Sequence, residues 1–186
     1  SNALRLTVAP SKGTLAKALA AIPAQLGITR DFPASAASEA IAAAAHPELP
    51  DLDATDVPFV TIDPAGSMDL DQALCLERDG DGYRVRYAIA DVPSFVKPGG
   101  ALDAEARERG QTIYAPDGRI PLYPAVLSEG AASLLPGKLR GAFVWDFRLD
   151  SDANVTATGV KRARVRSRSK LDYLGVQRAI DGGTAD

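Results

Sequence analysis

Cysteine, histidine, tryptophan and methionine each occur once in this 186-residue chain, and aromatic residues make up only 6% of it. The lone Cys75 has no partner for a disulfide or a thiolate metal site, and its apolar setting reads as a buried, reduced thiol. His46 is equally isolated and is expected at the surface or in a loop. These scarcities exclude Cys/His zinc centres, Cys/His proteases and histidine acid–base catalysis within the chain. No window holds the roughly 20 apolar residues of a membrane span, and no basic stretch precedes an apolar signal core. Both absences point to the cytoplasm and away from a membrane partner. A basic excess is missing too: the net charge is −3, whereas a self-sufficient nucleic-acid binder usually carries surplus positive charge. The distribution says more than the sum, because aspartates crowd between Asp51 and Asp81 while cations concentrate from Lys161 to Lys170.

What remains is an ordinary globular composition, 46% hydrophobic and 24% charged, enough for one core and free of the signature of global disorder. Ser1-Asn2-Ala3 reads as the scar of a cleaved expression tag (1–3). Alanine-rich stretches from Thr14 to Leu26 and from Ala34 to Ala45, punctuated by Pro23, Gly27, Pro33 and Pro47, predict a helical amino-terminal segment over 4–50. From 51 to 186 the patterning turns to strands: Phe59–Ile62, Ala73–Leu76, Tyr83–Ile89, Ala142–Leu149 and Val155–Ser167. Asp79-Gly80-Asp81-Gly82 is a hairpin turn; it lacks the downstream glutamate of a calcium loop. Short helices are expected at Asp103–Arg109, which ends at Gly110, near Val126, and at Leu171–Ile180. The class is α+β: a twisted, mainly antiparallel sheet with flanking short helices and a small helical lead.

Acidic density peaks in Thr61-Ile62-Asp63-Pro64-Ala65-Gly66-Ser67-Met68-Asp69-Leu70-Asp71-Gln72-Ala73. Asp63 closes an apolar strand. Asp69 and Asp71 stand two apart, so extended backbone points both to one side, and the loop can return Asp63 beside them. Three carboxylates converging without a basic partner repel one another. A hard cation such as Mg²⁺ or Mn²⁺ relieves that repulsion and completes its octahedron with waters and phosphate oxygens. Metals so placed acidify an attacking water and stabilise a leaving oxygen, the requirements of phosphodiester hydrolysis. Aspartates also serve loops as caps and turn formers, and the spacing alone leaves both readings open.

Further blocks follow in order: Ala88-Ile89-Ala90-Asp91-Val92, Gly100-Ala101-Leu102-Asp103 with Glu105-Ala106 and Arg109-Gly110, Tyr114 followed by Pro116, Ile120-Pro121 with Pro124, Leu127-Ser128, Ser133-Leu134, and Ser167 to Tyr173. Together with Asp63, Asp69 and Asp71, this series resembles the amino-terminal part of the catalytic domain of the ribonuclease II (RNB) family, over roughly residues 57 to 175. The resemblance implies hydrolytic, processive 3′-to-5′ degradation of single-stranded RNA to nucleoside 5′-monophosphates, with Mg²⁺ or Mn²⁺ as cofactor. Asp63, Asp69 and Asp71 would ligate metal, and Asp71 matches the carboxylate on which the family's chemistry depends most. Tyr114 would pack against the 3′-terminal nucleotide; a half-buried core aromatic is its competing reading. Where the family has a fourth carboxylate, this chain has Gln72, whose amide oxygen can ligate but brings no charge. The family's domain is longer, and its later half supplies an arginine and a glutamate near the scissile phosphate. The remaining carboxy-terminal part of the same protein is therefore an implied partner, and this fragment alone is expected to have little activity. Gln72 motivates an alternative, a catalytically degenerate RNA-binding or regulatory relative; a metal-binding structural domain without RNA function is a third reading.

Arg162, Arg164, Arg166, Arg168 and Lys170 fall at period two. If extended, they line one face over about 26 Å, at ~3.3 Å per residue. Such a stripe is either a phosphate track for RNA or a solvated outer face or interface. Arg166, Arg168 and Lys170 are the candidate RNA contacts, Lys170 foremost because it lies within the matching blocks.

Overall fold

Runs of β-branched and aromatic residues set the frame. The computed structural model describes residues 13, 14, 17, 18, 21, 29–115 and 118–184, so the predicted tag scar and most of the first predicted helix lie outside the described residues. Its strands are β1 (Val60–Ile62), β2 (Gln72–Asp79), β3 (Gly82–Ala90), β4 (Ile113–Ala115), β5 (Gly118–Ile120), β6 (Arg140–Leu149), β7 (Val155–Val165) and β8 (Ser169–Leu171). Six form one sheet in the order β7-β6-β3-β2-β1-β8, while β4 and β5 pair separately as a hairpin. Every pairing in the large sheet is antiparallel except β1 with β8. The Asp79–Gly82 turn closes β2 onto β3 as its glycines predict, Gly80 taking φ +60°.

β7 and β8 lie at opposite edges of this sheet, yet only residues 166–168 separate them. Four peptide steps reach at most about 14 Å, whereas the edges of a flat six-stranded sheet stand roughly 24 Å apart. The sheet must therefore curl. Residues 52–59 seal the gap: Ala54 N–H donates to Arg164 O (2.8 Å), Arg164 N–H to Leu52 O (2.7 Å), and Arg168 N–H to Phe59 O (2.8 Å). Inside the curl, Phe59, Leu70, Cys75, Leu134, Val144 and Val165 pack with small alanines. Burial pushes the Cys75 thiol up, consistent with an inert reduced cysteine.

The period-two basic pattern is interrupted by this topology, which corrects the expectation of a continuous stripe. The chain leaves β7 at Val165 and re-enters the sheet at Ser169 on the far edge. Predicted as one strand to Ser167, the segment yields instead to the closure between sheet edges.

A second core holds the helical layer: α1 (Ala34–Ala45), a 3₁₀ turn at Val92–Phe95, α2 (Ala101–Arg109), and a π-helical turn at Val126–Ala131. Ala36 and Ala40, one helical turn apart, are fully buried and let α1 approach Phe95, Leu102 and Leu127 closely. Glu39 Oε2 accepts the N–H groups of Ala101 (2.8 Å) and Leu102 (3.3 Å), placing a carboxylate on the positive end of α2. The last helix, α3 (Tyr173–Asp181), starts at the cap Asp172. No described helix is long and apolar enough to cross a membrane.

Candidate functional site

Asp63 sits at the end of β1, where its N–H donates to Leu171 O of β8 (3.0 Å). The loop beyond it is gathered by Lys170, whose ammonium donates to Ala65 O (2.7 Å) and Ser67 O (2.5 Å). Lys170 thus shapes the acidic loop from within, a role its place in a basic pattern does not suggest.

Asp69 and Asp71 flank Leu70, which is completely buried, so both carboxylates are turned away from the core as the two-residue spacing predicts. The segment hangs from a residue far along the chain. Ser133 Oγ accepts the Leu70 N–H (3.0 Å) and donates to Met68 O (2.6 Å), while Leu134 N–H donates to Leu70 O (2.8 Å). Arg140 braces this support by donating to Ser133 O and Gly130 O. Ser133 stood in the sequence only as one of the matching blocks.

The three aspartates feel one another. Burial raises the Asp63 carboxyl above its ordinary range, and the charges of Asp71 and Asp69 raise it further, with Lys170 opposing. One sequence expectation fails here: the carboxylates do have a basic partner. Arg119 on β5 pairs with Asp69 Oδ2 at 2.5 Å and also engages Glu129. Gln72 is occupied as well, since its amide oxygen accepts the Tyr87 hydroxyl. Asp71 makes no side-chain hydrogen bond or ion pair among the described residues and is exposed.

Asp71 lies on the wall between two hollows. One, of 240 Å³, is lined by Asp69, Asp71, Tyr114, Arg119 and Pro121. The other, of 250 Å³, is lined by Asp63, Asp71, Gln72, Tyr87 and Tyr173. Tyr114 is 77% exposed, which removes the core-aromatic reading and leaves a ring available for stacking. Tyr87, and Tyr173 at the end of the last matching block, border the second hollow. A separate hollow of 390 Å³ on the sheet carries Arg84, Arg86 and Arg148, but Asp146, Glu77 and Asp79 already pair with them.

Among the described residues no three His, Cys, Asp or Glu side chains are grouped so as to hold a metal ion between them. The donor chemistry still fits a hard cation, because Mg²⁺ is commonly held by one or two carboxylates and completes its shell with water and phosphate oxygens. Asp63 and Asp71, which line one hollow, offer such a pair.

The candidate cations are spread over different tasks. Arg162 reaches the buried Asp91 (Nε to Oδ2, 2.9 Å), Arg164 faces Asp53 (3.5 Å), and Arg168 donates to Asp56 O (3.0 Å). Arg166 makes no hydrogen bond or ion pair among the described residues and stays exposed.

Known proteins resemble this chain in sequence and in fold. Over 132 residues the chain is 38% identical to ribonuclease R of Escherichia coli, covering 70% of this chain and 16% of that protein. It is 41% identical over 133 residues to an Arabidopsis thaliana protein named inactive exonuclease DIS3L2, covering 70% of this chain and 12% of the other. The structure of Mycoplasma genitalium RNase R in complex with ribose methylated single-stranded RNA superimposes with a TM-score of 0.79 at 25% identity, over 91% of this chain and 27% of that one. The chain thus spans less than a third of the length of each of these relatives. The family model described as the RNB domain matches residues 52–186, and the chain belongs to the RNB domain family.

Proposed function

We propose that this chain is part of a hydrolytic, metal-dependent, processive 3′-to-5′ exoribonuclease that degrades single-stranded RNA to nucleoside 5′-monophosphates. The observation that carries the reading is the placement of Asp71: an exposed carboxylate with no hydrogen bond or ion pair among the described residues, beside the partly buried Asp63 and facing the same hollow as the exposed Tyr114. Tyr114 stacks the terminal base without regard to its identity, worth ~1–3 kcal/mol per base in single-strand binders. Asp63, Asp69 and Asp71 hold Mg²⁺ or Mn²⁺, which when bound supplies Lewis acidity and an acidified water. Asp71 is the catalytic carboxylate, orienting the attacking water towards the phosphate. Gln72 contributes an amide oxygen, one lone pair of which already accepts the Tyr87 hydroxyl. Arg166, Arg168 and Lys170 border the RNA path, Arg166 being exposed and without a hydrogen bond or ion pair among the described residues.

The isolated chain has little activity, since it spans 16% of the E. coli relative and its partner in chemistry is the remainder of a longer protein. The test is single-stranded RNA labelled at its 3′-terminal nucleotide, incubated with Mg²⁺ and the longer protein. Labelled nucleoside 5′-monophosphate as the first product supports the reading; internal fragments as first products contradict it. Rapid release by the 186-residue chain alone contradicts the claim about the fragment.

A second reading has its own support. Gln72 lacks the charge of a carboxylate, and Asp69 is paired with Arg119; a catalytically degenerate RNA-binding relative fits both. That protein binds RNA with salt-sensitive affinity and never shortens it.

A further inference from the structure

Arg119 stands opposite Tyr114 in the β4–β5 hairpin, so both side chains project from one face of it. One guanidinium nitrogen lies 2.5 Å from Asp69 Oδ2, while another donates to Glu129 Oε1 on the π-helical turn. The planar fork of arginine suits this double grip. All three side chains are about one-third exposed (35% each), so solvent and ions can reach the contact. A divalent ion taken up by the Asp69 carboxylate, even on Oδ1, would stand against the guanidinium held on Oδ2, so the two cations oppose each other's binding.

We infer that Arg119 is a built-in counter-cation that competes with the divalent ion for Asp69, with Glu129 as the anchor that keeps the guanidinium beside the site once the ion has taken its place. This rests on the metal reading of the acidic site. Without metal, the guanidinium offsets part of the Asp69 charge and so eases, without abolishing, the repulsion among the three aspartates; the ion enters by exchanging one cation for another. Gln72 in place of a carboxylate and Arg119 at Asp69 act in the same direction, each lowering the negative charge that holds the ion. The displaced guanidinium, tethered to Glu129, faces the hollow that also holds Tyr114, where a phosphate can accept both arms of its fork.

Two measurements on this chain test the inference. In calorimetric titration with Mn²⁺, Arg119→Gln is expected to bind the ion tighter by on the order of tenfold, since an opposite charge in contact changes a carboxylate's affinity for a competing proton by a similar or larger factor. Equal affinity with and without the guanidinium overturns the inference alone; absence of Mn²⁺ binding in both proteins overturns the metal reading and the inference with it. Removing any nearby positive charge also favours a cation, so the second measurement follows the guanidinium itself. The assigned side-chain N–H correlations of Arg119 are recorded by NMR on the unsubstituted chain during Mg²⁺ titration. They are expected to shift or broaden as the site saturates, and correlations that stay unmoved through saturation overturn the inference.

Discussion

The Ser133 hydroxyl takes the N–H of Leu70 at 3.0 Å and gives its own proton to Met68 O at 2.6 Å. A single buried side chain thereby sets the path of the backbone that presents Asp69 and Asp71. Ser133→Ala leaves the Leu70 N–H and the Met68 carbonyl without that partner, at a cost of about 1–3 kcal/mol. Urea unfolding is expected to show that loss together with weaker Mn²⁺ binding; unchanged values for both would show that the aspartates are held by other means.

Tyr114 separates binding from folding. Its ring is largely exposed, so Tyr114→Ala is expected to change unfolding free energy by less than about 0.5 kcal/mol while reducing affinity for single-stranded RNA by ~1–3 kcal/mol in the longer protein. Fluorescence anisotropy with a labelled oligonucleotide reads the second effect, and thermal melting the first.

Two arginines of the same sequence pattern are expected to behave in opposite ways. Arg162 neutralises Asp91, whose side chain is wholly buried, and stacks over Phe143 at 5.4 Å. Arg162→Met strands that carboxylate and is expected to destabilise the chain by about 2–3 kcal/mol, towards the low end for buried pairs because Arg162 itself is half exposed. Arg166→Ala, which breaks no hydrogen bond or ion pair among the described residues, is expected to leave stability within about 0.5 kcal/mol and instead to reduce the salt dependence of RNA binding. Denaturant curves and a salt series of binding constants distinguish the pair.

Asp63 makes metal-free stability depend on pH. Its folded carboxyl is raised by burial, then by Asp71 and Asp69, above the ordinary value of 3.8. The folded chain then holds the proton more tightly than the unfolded chain, so this group lowers stability as pH climbs from 3.8 through the raised folded value, and the loss persists above it. Asp63→Asn is expected to raise the metal-free melting temperature at neutral pH, with the gain shrinking towards pH 4 and on adding Mg²⁺ to the parent chain. A melting temperature lowered at pH 7 would contradict the repulsion.

Local chemistry was legible in the sequence where neighbours along the chain decide it. The Asp79–Gly82 turn, helix Ala34–Ala45 and the outward pair Asp69 and Asp71 follow from turn residues, proline punctuation and two-residue alternation. Relationships across the chain were not. Arg119 meets Asp69 over 50 residues and Ser133 meets Leu70 over 63, and no periodicity announces either. The three-residue strands β4 and β5 are too short to show alternation. The basic pattern was read correctly as extended through Val165, and its two readings, phosphate track or outer face, divide along it: Asp91 and Asp53 claim Arg162 and Arg164, partners that spacing alone does not reveal.

The most direct test of the exoribonuclease reading compares the longer protein with its Asp71→Asn variant on 5′-labelled single-stranded RNA in Mg²⁺. The expected result is a ladder shortening from the 3′ end in the parent, with RNA bound but uncut by the variant. RNA bound by both proteins and shortened by neither, or shortened equally by both, would contradict the role given to Asp71.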